Sequence, residues 1–453
     1  MAVADGAASG AARPRRFLLA AQPSVGHTQA LRAIGRELLA RGHRVVFAAS
    51  TSRSIPDWLP QPEEVRTVGR VSDSLRGDGF VVLDLPTGPS RLVRGLRIAG
   101  RRGSDETLAA VDFFTSGALS DARAILRAMP ASQAADVVVA DYTLLGAWLA
   151  ADRAGIDFAA VFHSGLPFPA PGLTPASVIL GEDGDEAEAN MASATTMVDE
   201  RMAAARSKLG LAPVAPGLIE RPFARGLNIL TTFEQFEPPR PDLVASAEGP
   251  VLWAGPCLGE RVEGSRDFPW DRMGDPDTRL NDWVFISLGT VFNGQPEVYR
   301  SLIEGAHRLG LRVVVAAGSS LRAARAAADE RDIVVRFAPQ VELLRWVPVM
   351  ITHGGNNSMN EAMKAGVPLV TVPFGGEQMA NARRAELVGV GRTLPATDLT
   401  PEDVSDALFA QLQPGVRMRA QMVARSVPQV DGAVVAADAL ERLGRGATPD
   451  QLA

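Results

Sequence analysis

The chain has 453 residues, 46% of them apolar and 22% charged, which is an ordinary globular composition and excludes a fibrous or disordered protein. Its formal net charge is −6, and of its 46 basic residues only Lys208 and Lys364 are lysine. That acidic balance argues against wholesale binding of nucleic acid or of an anionic membrane, and the single cysteine, Cys257, excludes an internal disulfide and a zinc site of its own.

Residues 1–16 (MAVADGAASGAARPRR) lack the long apolar run that follows the basic head of a signal peptide, so a frayed tail on a cytoplasmic protein is expected. No later stretch approaches the ~20 apolar residues of a membrane span. Phe17 to Ala21 is a short, continuous apolar run, the pattern of a strand buried on both faces. After a loop from Gln22 to His27, Leu31, Ile34 and Leu38 fall on one helical face; Gly42 stops that helix, and Val45 to Ala49 supplies the next strand. This opening βαβ unit sets the class as α/β. Val137 to Ala140, ending at Asp141, predicts another buried strand, with a helix through Arg153 that Gly155 breaks and a further strand from Phe158 to Phe162. Residues 76–110 and 165–200, rich in proline and charge, read as irregular connections that wall a substrate pocket.

Leu227 to Thr231 reads as the last strand of this half, and Pro238, Pro239, Pro241 and Pro250 mark a linker. A second series follows at Val284 to Ser287, Arg312 to Ala316, Ile333 to Phe337, Val349 to Thr352 and Leu369 to Val372. Thr400-Pro401-Glu402-Asp403 is a helix start, with a capping threonine, proline in the first turn and acid at the third position. Two Rossmann-like parallel-sheet domains facing a cleft are therefore expected: 13–240, a linker 241–276, then 277–430. A closing helix, 431–445, is free to pack on either of them.

The chain carries no GxGxxG after its first strand and no GxxxxGK[ST], which removes the usual dinucleotide-dehydrogenase and P-loop signatures. Asp183-Gly-Asp185 and Asp275-Pro-Asp277 lie in polar, loop-like stretches and read as solvated acid, so no metal site is expected. The densest signal runs from Phe337 to Leu344, through Ile351-Thr-His-Gly-Gly-Asn-Asn-Ser-Met-Asn-Glu361 and Gly366-Val-Pro368, to Pro373-Phe-Gly-Gly-Glu377-Gln378. A strand ending at Thr352, a Gly-Gly turn, and a helix starting near Asn357 or Ser358 bring backbone N–H groups and a positive dipole end to one place, a natural seat for a diphosphate. His353 stands where it can add a hydrogen bond to that anion, and Glu361, one turn on, can accept from ribose hydroxyls. Ser358-Met-Asn-Glu361 is equally a capping box and the Gly pair a plain turn; the long spacing from Phe337 to Gln378 tips the balance towards a ligand site.

On these residues the sequence resembles the UDP-glycosyltransferases of glycosyltransferase family 1, which have the GT-B fold. Pro23-Ser-Val-Gly-His27 and Phe285-Ile-Ser-Leu-Gly-Thr290 add to the likeness, which is closest to bacterial natural-product and macrolide-type members. The resemblance implies that Phe337 stacks on the nucleobase where plant members have tryptophan, that Gln340 contacts the base or ribose edge, and that Glu361 holds the ribose hydroxyls. It places Thr290, His353, Gly355, Asn357 and Ser358 around the diphosphate, and Glu377 and Gln378 on the sugar. Asn356 departs from the plant pattern, which has tryptophan there. His27 matches the catalytic base and Asp141 its partner, whereas a surface histidine and a helix N-cap are the plain readings of the same two residues. Phe113, Phe114 and His163 are expected to line the acceptor pocket, and His43 and His307 to be solvated.

The implied activity is inverting, metal-independent transfer of a hexose, UDP-glucose being the favoured donor, to a hydroxyl of a hydrophobic small molecule. No cofactor is expected beyond that nucleotide-sugar co-substrate, UDP- or dTDP-linked. A dTDP-deoxysugar transferase of an antibiotic pathway, a nucleotide-sugar epimerase of the same architecture and a non-catalytic transferase partner are the alternatives.

Overall fold

The computed structural model describes residues 13–22, 25–50, 71–85, 111–112, 115–129, 135–163, 174–179, 184–218, 226–237, 249–258, 268–274, 282–289, 296–375, 377–447 and 451–452. Their first sheet is built from β1 (Arg16–Ala21), β2 (Arg44–Ser50), β3 (Val81–Leu85), β4 (Val137–Asp141), β5 (Asp157–Phe162), β6 (Leu227–Leu230) and β7 (Val251–Trp253). These lie in the order β3-β2-β1-β4-β5-β6-β7, every pair parallel. Apolar on both faces, the strands need cover on both. Helix α1 (Val25–Ala40) packs Leu31, Ile34 and Leu38 on one side, and α2 (Leu145–Ala154) with α3 (Asp185–Leu209) covers the other. Gly155 takes φ 64° to end α2, as its position predicts.

Three expectations change here. Helix α1 begins at Val25, so His27 stands in a helical first turn rather than a loop. The supposedly irregular stretches contain β3 and most of α3, a helix that buries Ala187, Met191, Ala194, Val198 and Met202 at spacings of three and four. The segment read as a linker supplies β7, which pairs Asn228 with Val251 and extends the first sheet.

The second sheet comprises β8 (Trp283–Ser287), β9 (Arg312–Ala316), β10 (Ile333–Val335), β11 (Val349–Thr352), β12 (Leu369–Thr371) and β13 (Gly391–Thr393). Its order is β10-β9-β8-β11-β12-β13, again parallel. Helices α4 (Asn356–Ala365), α5 (Gln378–Leu387) and α6 (Pro401–Gln411) cover it; Thr400 and Asp403 form the expected reciprocal cap of α6. The domains are interleaved. Phe233 and Phe236, just after β6, lie in the core of the second domain. Conversely α7 (Gly432–Leu443) returns to the first domain and buries Ala433, Ala436, Ala437, Leu440 and Leu443 with Leu31, Ile34 and Leu38 of α1.

That return is polar at its rim. The Arg15 N–H donates to His43 Nδ1 (3.2 Å), so the imidazole proton sits on Nε2, which donates to Glu441 Oε1 at 2.8 Å. His43 is thus buried and paired, not solvated. His307 likewise places Nε2 2.9 Å from Asp332 Oδ2. Burial alone would raise the Glu441 carboxyl, but the His43 hydrogen bond and the Arg41 charge outweigh it and hold it below its ordinary value. A lowered folded-state pKa stabilises above the unfolded value of ~4.3, and the gain fades as pH falls through the folded value. Glu441→Gln is expected to cost about 1 kcal/mol at pH 7 and to flatten the acid-side loss of melting temperature; a variant as acid-sensitive as the wild type would show that Glu441 does not anchor α7.

Candidate active site at the carboxyl edges of both sheets

In each sheet the strand order reverses direction between the first strand and its later neighbour, β1 with β4 and β8 with β11, and open α/β sheets bind ligands at such switch points. In the first domain the chain leaving β1 enters α1 and presents His27. The adjacent strand β4 ends on Asp141, and His163 directly follows β5. His27 Nδ1 lies 2.6 Å from Asp141 Oδ2. The carboxylate is buried, 1% exposed, and also accepts from the Thr143 N–H (2.9 Å), the Thr143 hydroxyl (3.0 Å) and the Gln22 N–H (3.4 Å). So many donors keep it ionised. Burial pushes Asp141 up, but the charges of His27 and His163 and their hydrogen bonds prevail and hold it far below the carboxylate range. For His27, burial works to lower the imidazole, yet the Asp141 charge and hydrogen bond, with a smaller push from Glu377, leave it raised above 6.5. The proton on Nδ1 is engaged by Asp141, and Nε2 is left as the basic atom.

His163 packs its ring on His27, centroids 4.1 Å apart, and puts Nδ1 3.4 Å from Asp141 Oδ1. His27, Asp141 and His163 offer ligand atoms within 4.8 Å of one another. The 2.6 Å between His27 and Asp141 is nevertheless a hydrogen bond, closer than the ~3.3 Å between two ligands held ~2 Å from one tetrahedral ion.

In the second domain, β8 ends before Gly289 and β11 before His353. Gly289 takes φ 76°, and a Cβ there would stand 2.6 Å from His353 Nε2; one on Gly355 would stand 2.5 Å from the same atom. The imidazole therefore lies in a slot that two glycines open. Burial lowers the His353 pKa, only partly offset by Glu377 and by a hydrogen bond with the Ser287 carbonyl, so the ring is neutral at neutral pH. Helix α4 begins at Asn356 behind Gly355, which gives no side-chain cap. Ser358 is inside the first turn, so the alternative capping-box reading fails, and the first-turn N–H groups have no side-chain cap. Phe337, beyond β10, is 57% exposed. Gln340 Nε2 donates to Glu361 Oε2 (2.7 Å) and Ser358 Oγ (3.1 Å), tying three of the expected donor residues into one network. Gln378 is buried, and its Oε1 accepts from the Phe374 N–H at 2.9 Å; Glu377 stands at the N-cap position of α5 without a side-chain cap bond and is exposed, acting electrostatically on both His27 and His353. Asn357 donates to Gln29 Oε1 of α1 at 3.0 Å, a partner 328 residues away in the chain. Thr290, Phe113 and Phe114 lie outside the described residues.

The site is thus two half-sites: an acid–base pair on one sheet edge and an uncapped helix start with a neutral histidine on the other. Residues 281–422 match the family model described as UDP-glucoronosyl and UDP-glucosyl transferase. The chain is 28% identical over 216 residues to an uncharacterized UDP-glucosyltransferase of Bacillus subtilis, a match of 47% of this chain that spans about half (51%) of that relative. With 4'-demethylrebeccamycin synthase of Lentzea aerocolonigenes it shares 28% identity over 444 residues, 94% of this chain and 99% of that protein. The solved structure of the glycotransferase of kitacinnamycin has the same two-domain GT-B fold, with a TM-score of 0.70 at 21% identity over 95% of this chain and 99% of that one.

Proposed function

We propose that this chain transfers a hexose from a nucleoside-diphosphate sugar, UDP-glucose in the first instance, to a hydroxyl of a hydrophobic natural product, with inversion and without a metal ion. The observation that carries the reading is His27, its Nδ1 bound to a buried Asp141 at the carboxyl edge of the first sheet, where Asn356, next to Gly355, reaches the His163 carbonyl from the other domain. In this mechanism His27 Nε2 takes the acceptor proton as the oxygen attacks the anomeric carbon from the face opposite the departing diphosphate. Asp141 stabilises the imidazolium that forms. The first-turn N–H groups of α4 donate to the leaving group as its charge grows, the contribution that usually dominates such catalysis, and the neutral His353 joins them by turning its one N–H from the Ser287 carbonyl to the phosphate. The similarity to 4'-demethylrebeccamycin synthase over 94% of the chain supports an acceptor of the antibiotic type.

The test is turnover of a hydroxylated, hydrophobic acceptor with UDP-glucose and with dTDP-glucose, each with and without excess chelator. Product with the anomeric configuration opposite to that of the donor, undiminished by chelator, is expected. Activity lost on chelation and restored by manganese or magnesium would overturn the metal-free mechanism and turn attention to the His27–Asp141–His163 cluster. A clear preference for dTDP-glucose would favour the deoxysugar reading.

A further inference from the structure

The start of α4 is held against the first domain by side chains that have no part in the donor chemistry above. Asn356 Nδ2 donates to the His163 carbonyl at 2.8 Å, across 193 residues of chain, and Asn360 meets the Thr231 carbonyl and the Thr232 hydroxyl, each at 3.4 Å. Asn356 is 5% exposed and His163 9%. The His163 ring is confined on three sides: His27 at 4.1 Å between centroids, Tyr142 at 5.4 Å, and Asp141 Oδ1 at 3.4 Å from its Nδ1. The carbonyl that Asn356 grips and the ring that touches His27 belong to one residue, the first beyond β5, where the sheet ladder ceases to fix the backbone. A shift of that carbonyl therefore moves the imidazole, which is packed directly on His27 and Asp141.

We propose that Asn356 is a positioning residue that acts through His163: by holding the His163 carbonyl from the donor-side helix it fixes the ring packed on His27, so that the His27–Asp141 pair is aligned when the two domains are closed. The proposal rests on His27 being the base. It gives the amide at position 356, where the plant pattern has tryptophan, a task that tryptophan cannot perform with the same geometry: a short side chain placing an N–H on a main-chain oxygen of the other domain. It also assigns His163 to the support of the acid–base pair rather than to the acceptor wall. Because Asn356 precedes Asn357 and Ser358 on the same turn, closing the helix start over a donor and aligning the base become one motion.

The experiment compares wild type, Asn356→Ala, His163→Ala, His27→Ala and the double variant Asn356→Ala/His27→Ala. Turnover is measured on an aliphatic alcohol and on an acidic nitrophenol, and UDP affinity by calorimetry. Asn356→Ala and His163→Ala are expected to keep UDP affinity within about twofold while losing roughly 10- to 100-fold in kcat on the alcohol, the scale of a misplaced catalytic group. Both should lose far less on the nitrophenol, which needs little help from a base. In the His27→Ala background the Asn356 substitution should add nothing further, since residues that work through one group are non-additive. Effects that multiply in the double variant, or equal losses on both acceptors, would overturn the proposal. UDP affinity reduced in proportion to kcat would do so too, by making Asn356 a donor contact. Full turnover of the single His27→Ala variant on the alcohol would overturn the base reading itself and this proposal with it, an outcome distinct from the others.

Discussion

His27→Ala is expected to lower turnover on alcohol acceptors by ~10²–10⁴, the usual contribution of a positioned general base, while nucleotide binding in the second domain stays near normal. An alcohol is too weak an acid to attack unaided, and with the Nδ1 proton engaged by Asp141 the basic nitrogen of the neutral His27 ring is Nε2. The base works only when deprotonated. Since the Asp141 charge raises the His27 pKa above 6.5 against the opposing effect of burial, the acid limb of the kcat–pH profile should lie above the ordinary imidazole midpoint. Asp141→Asn makes a sharper test because its two effects run in opposite directions. Losing the carboxylate should move the acid limb to lower pH and at the same time lower the plateau, because the imidazole is no longer oriented nor its charged form stabilised. Rates for wild type and both variants, over acceptors of graded pKa and a range of pH, would decide the matter. Undiminished turnover of His27→Ala on an aliphatic alcohol rules out His27 as the base.

On the donor side, His353→Ala should weaken nucleotide binding roughly 10- to 100-fold, the ~1.5–3 kcal/mol of a hydrogen bond to a charged acceptor. The chemical step should slow as well, because the same donor faces the leaving group. Gly355→Ala is expected to reproduce this defect without touching the imidazole chemically, since its Cβ would stand 2.5 Å from His353 Nε2 and displace the ring. Glu361→Ala removes the partner of Gln340 and should weaken binding while leaving the rate of bound donor largely intact. Wild-type nucleotide affinity in all three variants would mean that residues 353–361 form no more than a turn and a helix.

What was legible in the sequence follows the physics of each feature. Strands buried on both faces are continuous apolar runs, so β1, β4, β8 and β11 stand out by composition and their last residues locate the sheet edge. The three-residue strands β7 and β13 carry too little pattern to separate from loop. In α3 the buried positions are mostly alanine and methionine set among charges, which masks a regular spacing of three and four. Asp141 and His353 are readable because one ends such a strand and the other directly follows one, whereas His27 lies in the first turn of α1 and is readable only through the run Pro23-Ser-Val-Gly-His27. His43 and His307 were misread as solvated because their partners, Glu441 and Asp332, are supplied by tertiary packing. The bonds of Asn357 to Gln29 and of Asn356 to His163 lie beyond sequence inference for the same reason: separations of 328 and 193 residues leave no local signature.

The return of α7 has a consequence for how this protein is made. The face of α1 that carries Leu31, Ile34 and Leu38 is covered by residues 432–443, which leave the ribosome only after the entire second domain has been synthesised. Domains commonly fold in order as they emerge, but here the earliest domain must wait with an apolar flank uncovered while the later one takes shape. The vulnerable period of biogenesis thus falls on the nascent first domain, and a stalled or prematurely terminated chain would present that flank to chaperones and to other nascent chains.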